Sequence, residues 1–229
     1  NFKYIKDIIS DSDISIANLE TTINPNKPCS GYPNFNAPKE LLHTLKDVGF
    51  DIISTVNNHS LDTGYSGVLS TANEIENIGL DVVGTKSKVE NKNYSIKNVK
   101  DINIGIASFS YGEVINNQKY LNGIKSGKAN DLMNVINVNS VQKSFDTIKK
   151  EIDLMKSDGA EFIIIMLHWG EEYKQTPTKY QTELAQLLAN EGVGLILGSH
   201  PHVVQSIEYV KSENSDKECL VVYSMGNII

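Results

Sequence analysis

Apolar positions along the chain fall into two alternating patterns, one spaced by three and four residues, the other short and unbroken. Leu41, Leu42, Leu45 and Val48 follow the first pattern behind Pro38, which suits an opening helical turn, and Gly49 ends it. Val68, Leu69, Ala72, Ile75 and Ile78 repeat it up to Gly79. Val141, Phe145, Ile148, Ile152 and Met155 repeat it up to Gly159. Leu184, Leu187 and Leu188 repeat it up to Gly192, with Thr176-Pro177 as the expected cap. Each glycine suits the left-handed residue that closes a helix. After each comes a short apolar run, at 51–56, 81–83, 162–167 and 195–197. The run at 162–167 is apolar throughout, as in a strand buried on both faces. Helices alternating with apolar strands predict βαβ units around a largely parallel sheet, in one α/β domain over 1–229.

The remaining stretches are weaker. Phe2, Ile5, Ile8 and Ile9 have helical spacing, and a short strand at 14–17 leads into Asn18-Leu19-Glu20. Residues 21–37, with Pro25, Pro28, Gly31 and Pro33, read as a long loop. Strands are expected around 94–96 and 102–109, and a hairpin from 203–210 and 219–223 about the charged turn 211–217. Residues 111–139, rich in Asn and Gly, fit neither pattern.

Composition narrows the function. The 21 basic residues are all Lys against 28 acidic ones, so a net charge of -7 leaves no basic footprint for nucleic acid. A polyanionic substrate would need local cations to approach such a surface. Cys29 and Cys219 have no ligand spacing and read as two ordinary thiols rather than a disulfide. No run approaches the ~18 apolar residues of a membrane span, and no signal peptide is visible. The chain opens on Asn1 and ends on Ile228-Ile229, so it reads as a piece of a longer protein, incomplete at both ends.

The polar residues that follow the strands carry the candidate chemistry. In open α/β sheets, ligands bind at the carboxyl ends of the strands. There the chain places Glu20; Asn57, Asn58, His59 and Asp62; His168 and Glu171; His200 and His202, which makes four of its 5 histidines. In an extended backbone, side chains two apart point the same way, so His200 and His202, joined by Pro201, aim two imidazoles at one point. Each group also fits a structural role: Glu20 as a helix cap or solvated carboxylate, Asn58 as a turn residue, His59 as a buried hydrogen-bonded histidine. Taken jointly they read as a divalent-metal site, with Asp62 orienting His59. Mn, Fe and Zn suit such a His/Asn/Glu set alike. His43 reads as solvated and Trp169 as packing.

Five motifs in order carry a resemblance that spans nearly the whole chain: Asn18-Leu19-Glu20; Asn57-Asn58-His59-Ser60-Leu61-Asp62-Thr63-Gly64; His168-Trp169-Gly170-Glu171-Glu172; Gly198-Ser199-His200-Pro201-His202-Val203-Val204-Gln205; and Tyr223-Ser224-Met225-Gly226-Asn227. Together they resemble the poly-γ-glutamate capsule synthesis protein CapA family, a branch of the calcineurin-like metallophosphoesterases. The resemblance implies a four-layer α/β/β/α sandwich around two metals. It implies metal ligation by Glu20 (where the superfamily usually has a bridging Asp), Asn58, His168, His200 and His202, and a leaving-group acid in His59, supported by Asp62. The superfamily's opening Gly-Asp motif and its strand are expected upstream of Asn1. The implied function is capsule biosynthesis or export with a phosphoesterase-like site. The alternatives are a non-catalytic polymer-binding or synthase-complex accessory, and a phosphoesterase for a small metabolite. The implied partners are an anionic polymer or phosphate ester and capsule synthase membrane subunits. The implied location is extracytoplasmic and membrane-anchored.

Overall fold

A computed structural model describes residues 2–228; Asn1 and Ile229, on which the expectation about the chain ends rests, lie outside the described residues. The first part of the chain builds a small sheet. Helix α1 (Lys6–Ser10) is shorter than the apolar spacing predicts, and Ile8 within it is 72% exposed. Strands β1 (Ile16–Asn18), β2 (Ile52–Ser54) and β3 (Asp81–Val83) are parallel and lie in the order β1-β2-β3. Helices α2 (Glu40–Val48) and α3 (Gly64–Asn77) connect them.

The rest of the chain builds a mixed sheet of 9 strands. Strand β4 (Tyr94–Val99) runs antiparallel to β5 (Ile102–Ile115), joined through Lys100 and Asp101 at positive φ. β5 overruns the predicted strand and enters the stretch where no pattern was readable. Asn116-Asn117 and Asn122-Gly123, all at positive φ, turn it into a small ladder with β6 (Gln118–Leu121) and β7 (Ile124–Lys125). Strand β8 (Val135–Asn137) returns parallel to β5. Helix α4 (Val141–Ser157), strand β9 (Phe162–His168), helix α5 (Lys179–Asn190) and strand β10 (Leu195–Ser199) follow as predicted from their apolar spacing. The cap of α5 is Thr178 rather than Thr176-Pro177, because Thr178 and Gln181 satisfy each other's backbone N–H groups in a capping box. Strands β11 (Ile207–Lys211) and β12 (Glu218–Val222) form the expected hairpin, which starts at Ile207.

The two sheets lie face to face, so the expectation of one largely parallel sheet is corrected. The larger sheet is mixed because β4–β5 and β11–β12 are joined by tight antiparallel links. Between the sheets lie Ile52 and Val83 from one side and Ile106, Ile164 and Met166 from the other. Ser54 and Ser108 satisfy one another across this apolar layer at 2.6 Å. On the outside, Leu42, Leu45, Val48 and Ile75 cover Ile53 of the small sheet. Ile148, Ile152, Met155, Leu184 and Leu188 cover Ile163, Ile165, Leu167 and Ile196 of the large one. Each such side chain contributes about 1.5–3 kcal/mol of burial. The result is the α/β/β/α sandwich. Cys219 is buried in the outer core, where burial pushes its thiol up to about 12, and Cys29 is free and exposed in the long loop. Trp169 packs in the same core, stacked on Tyr223 and donating to its carbonyl at 2.9 Å. No described helix is long and apolar enough to cross a membrane.

Candidate metal centre

Register brings the polar residues together in pairs. β1 and β2 pair Asn18 with Ser54, so the residues beyond both strands, Glu20 and Asn58, emerge side by side. β9 and β10 pair His168 with Ser199, so His168 and His200 emerge together. Asn57 fixes the turn after β2: its amide donates to the Leu19 carbonyl at 2.8 Å and its Oδ1 accepts from the His59 N–H at 3.0 Å.

The turn after β10 differs from the sequence expectation. The strand runs through Gly198, because the Tyr223 backbone passes so close that a Cβ there would lie 1.9 Å from its carbonyl oxygen. His200 and His202 are then not extended; their φ angles are 98° and 60°. Left-handed non-glycine residues are strained by on the order of 1–3 kcal/mol and persist where surroundings over-determine them. Here Met225 N–H bonds the Gly198 carbonyl at 3.0 Å and Tyr173 N–H bonds the Pro201 carbonyl at 2.8 Å. The two imidazoles still converge, with ring centroids 6.1 Å apart, but through a bend rather than strand alternation.

His168 is buried with Nδ1 2.9 Å from Ser199 Oγ and Nε2 2.8 Å from Asn58 Oδ1. Glu20 Oε1 lies 3.7 Å from His168 Nε2 and 3.8 Å from His202 Nε2. His202 Nδ1 is held from behind by Asn227 Oδ1 at 3.0 Å. Burial holds His168 well below the usual imidazole range, and the neighbouring His200, His202 and His59 add to this. Burial, with His202 and His59 nearby, brings His200 down to about 4. Both rings are therefore neutral at physiological pH, the form that ligates a metal. Burial raises Glu20, against the pull of His202 and His59.

His59 stands at the edge of this group. Its Nδ1 lies 2.8 Å from Asp62 Oδ2, which also accepts the Phe35 N–H at 2.6 Å, and the Phe35 ring meets it edge-on. Burial opposes protonation of His59, but the hydrogen bond and charge of Asp62 outweigh it and raise its pKa.

The donor set fits a divalent cation. Glu20, His168 and His200 offer ligand atoms within 4.8 Å of one another, and so do Glu172, His200 and His202. Glu20 Oε1 and His200 Nδ1 are buried with no hydrogen-bond partner. An unsatisfied buried polar atom costs about 1–3 kcal/mol, and a cation between these two would satisfy both. Of the other expected residues, Glu171 is exposed and paired with Lys174 rather than drawn into the group, and His43 is exposed on α2.

Residues without a predicted role complete the site. Ser199 and Asn227 anchor His168 and His202. Tyr111 stacks parallel to His168 and lies 4.7 Å from His200, its phenol pushed up to about 12 by burial and by the Glu172 and Glu20 carboxylates. A cleft of about 770 Å³ opens onto Glu20, His59, His200 and His202, and the exposed rings of Tyr32 and Tyr173 stand at its wall.

Residues 1–229 match the sequence profile of the bacterial capsule synthesis protein PGA_cap. The chain belongs to the PGA_cap family. It is 26% identical over 231 residues to the PGA biosynthesis protein CapA of Bacillus subtilis (strain 168), covering 100% of this chain and 56% of that protein. It is 25% identical over 238 residues to the capsule biosynthesis protein CapA of Bacillus anthracis, covering 100% and 53%. The chain thus spans about half the length of these relatives. Among solved structures, the Thermus thermophilus sulfate thiohydrolase SoxB in complex with glycerol superposes with a TM-score of 0.51 at 14% identity, over 82% of this chain and 30% of that one. That likeness is one of fold alone: the PGA_cap chain shares the α/β/β/α sandwich.

Proposed function

We propose that residues 1–229 form one domain of a longer capsule-biosynthesis protein and carry a metal-dependent hydrolase site of the phosphoesterase type. One observation carries this reading: side chains from four separate segments converge on two buried atoms, Glu20 Oε1 and His200 Nδ1, that lack partners. Glu20, Asn58, His168, His200 and His202 would hold the cation, and Mn, Fe and Zn suit the set alike. When bound, a divalent cation lowers the pKa of a coordinated water toward ~7 and offsets charge on a tetrahedral anion. The rest falls to the chain. Asp62 keeps the His59 ring oriented and its proton in place, so that Nε2 faces the cleft as a general acid for a leaving-group oxygen. Ser199 and Asn58 keep His168 from turning. The substrate is a phosphate ester or an anionic polymer, drawn in by the cation against the acidic surface. The location is extracytoplasmic, with an anchor elsewhere in the longer protein, and the partners are membrane subunits of a capsule synthase.

The test is metal analysis of the full-length protein with hydrolysis of a generic phosphate ester. Stoichiometric cation is expected, with both cation and turnover lost in a His200→Ala/His202→Ala variant; no cation at any concentration sinks the reading. His59→Ala, with ligands intact, is expected to slow turnover about 10²–10⁴-fold. A non-catalytic polymer-binding role has its own support in the size of the cleft and the tyrosines at its wall. If capsule output survives His59→Ala unchanged, that role replaces the hydrolytic one.

A further inference from the structure

We infer that Glu172 supplies the carboxylate of a second cation position, together with His202 and a shared Glu20, beside the position formed by Glu20, His168 and His200. The inference rests on the metal reading above and adds a ligand to it. Glu172, His200 and His202 bring one ligand atom each within 4.8 Å of the others. Glu172 is not there by the chance wandering of a loop. Trp169 N–H bonds the Ser199 carbonyl at 3.1 Å and Tyr173 N–H bonds the Pro201 carbonyl at 2.8 Å. These two ties clamp the segment carrying Glu172 to the bend carrying His200 and His202. Gly170, at φ +89, makes the sharp turn between them.

An independent observation points to a ligand. His200 is only 6% exposed, yet its Nδ1 has no hydrogen-bond partner. His202 is already fixed through Nδ1 by Asn227, which leaves Nε2 directed at Glu20 Oε1, 3.8 Å away. Glu20 Oε1 therefore faces His168 and His202 at nearly equal distance and can be shared between two positions. One carboxylate offsets only a quarter of the charge of two divalent cations; a second raises that to half. Glu172 is exposed where Glu20 is half-buried, so the second position opens to the cleft and keeps room for substrate oxygen. The chemistry is that of a borderline divalent cation such as Mn²⁺ or Zn²⁺.

The test uses metal-stripped full-length protein titrated with Mn²⁺ alone, by equilibrium dialysis and electron paramagnetic resonance. Wild type is expected to take two Mn²⁺ with separate affinities. Glu172→Gln is expected to hold the tighter one within about twofold and to weaken the second at least tenfold. Glu171→Gln, altered at the neighbouring carboxylate that pairs with Lys174, is expected to bind as wild type. Glu172→Gln binding both ions like wild type overturns the inference. So does wild type saturating at one Mn²⁺, an outcome that leaves the hydrolase reading standing. Wild type binding neither Mn²⁺ nor Zn²⁺ overturns both.

Discussion

His168 leaves β9 fully enclosed, with one ring nitrogen on Ser199 of the neighbouring strand and the other on Asn58 from the opposite sheet. His202 leaves β10 in a left-handed bend, with 22% of its side chain exposed and a single anchor, Asn227, from the end of the described chain. The first corner is fixed by strand pairing and by the closure of two sheets. The second is fixed by a local turn. The difference teaches where rigidity in this site comes from. The buried corner cannot move without parting the layers, whereas the open corner can adjust to whatever occupies the cleft.

The largest expected effect comes from acid acting on the buried corner of the metal-free protein. His168 and His200 have folded pKa values below the unfolded value of 6.5, His200 at about 4. Between those values the unfolded chain binds protons that the folded chain refuses, so stability rises with pH and is lost as pH falls below 6.5. The slope contributed by each histidine approaches about 1.4 kcal/mol per pH unit. Denaturant unfolding between pH 7 and 4 measures it, and His200→Asn is expected to flatten the curve. An unchanged slope in that variant would mean that the open corner or other groups govern acid stability.

Next comes the joint between the corners. Gly198 separates Leu197 of the strand from the histidine bend, and its missing side chain is what lets the Tyr223 carbonyl and Trp169 ring nitrogen pass. Gly198→Ala drives a methyl into backbone, which is expected to cost about 3 kcal/mol in thermal unfolding. Gly123→Ala, with nothing within 4 Å of its would-be Cβ, bears only its turn strain and is expected to cost about 1 kcal/mol. Equal losses would remove the argument that the bend is pinned from behind.

The same contrast governs what could be read from the sequence. Helices α2 to α5 and strands β2, β9 and β10 were legible because their apolar residues repeat at helical spacing or run unbroken between glycines. The layer count was legible only through the family resemblance: whether Ile52 and Ile106 share a sheet or face each other depends on long-range pairing that periodicity does not carry. Residues 111–139 were opaque because Asn116, Asn117 and Asn122 serve as turn residues at positive φ within a ladder. In the site, Glu20, Asn58, His59, His168, His200 and His202 were legible as polar residues beyond apolar strands. Their backbone was not, since the bend at His200 and His202 is set by contacts from Tyr173 and Met225. Tyr111 gave no signal, because it follows the apparent end of β5. Ser199 and Asn227 stood inside quoted motifs, and their adjacency to a ligand run was the available clue.

The smallest expected effect separates the corners through their anchors. Ser199→Ala removes the hydroxyl that holds Nδ1 of His168, a ring that is itself fully enclosed. Partners of this kind typically cost 10–100-fold in metal affinity when lost, and Ser199→Ala is expected to fall in that range. Asn227→Ala removes the partner of a half-exposed ring. Water can take its place on His202 Nδ1, so the expected loss is below about tenfold with no change in melting temperature. Affinity for Mn²⁺, measured by competition with a fluorescent chelator, compares the two variants directly. A larger loss in Asn227→Ala would reverse the assignment of rigidity, making the bend the site's fixed element and the buried histidine its adaptable one.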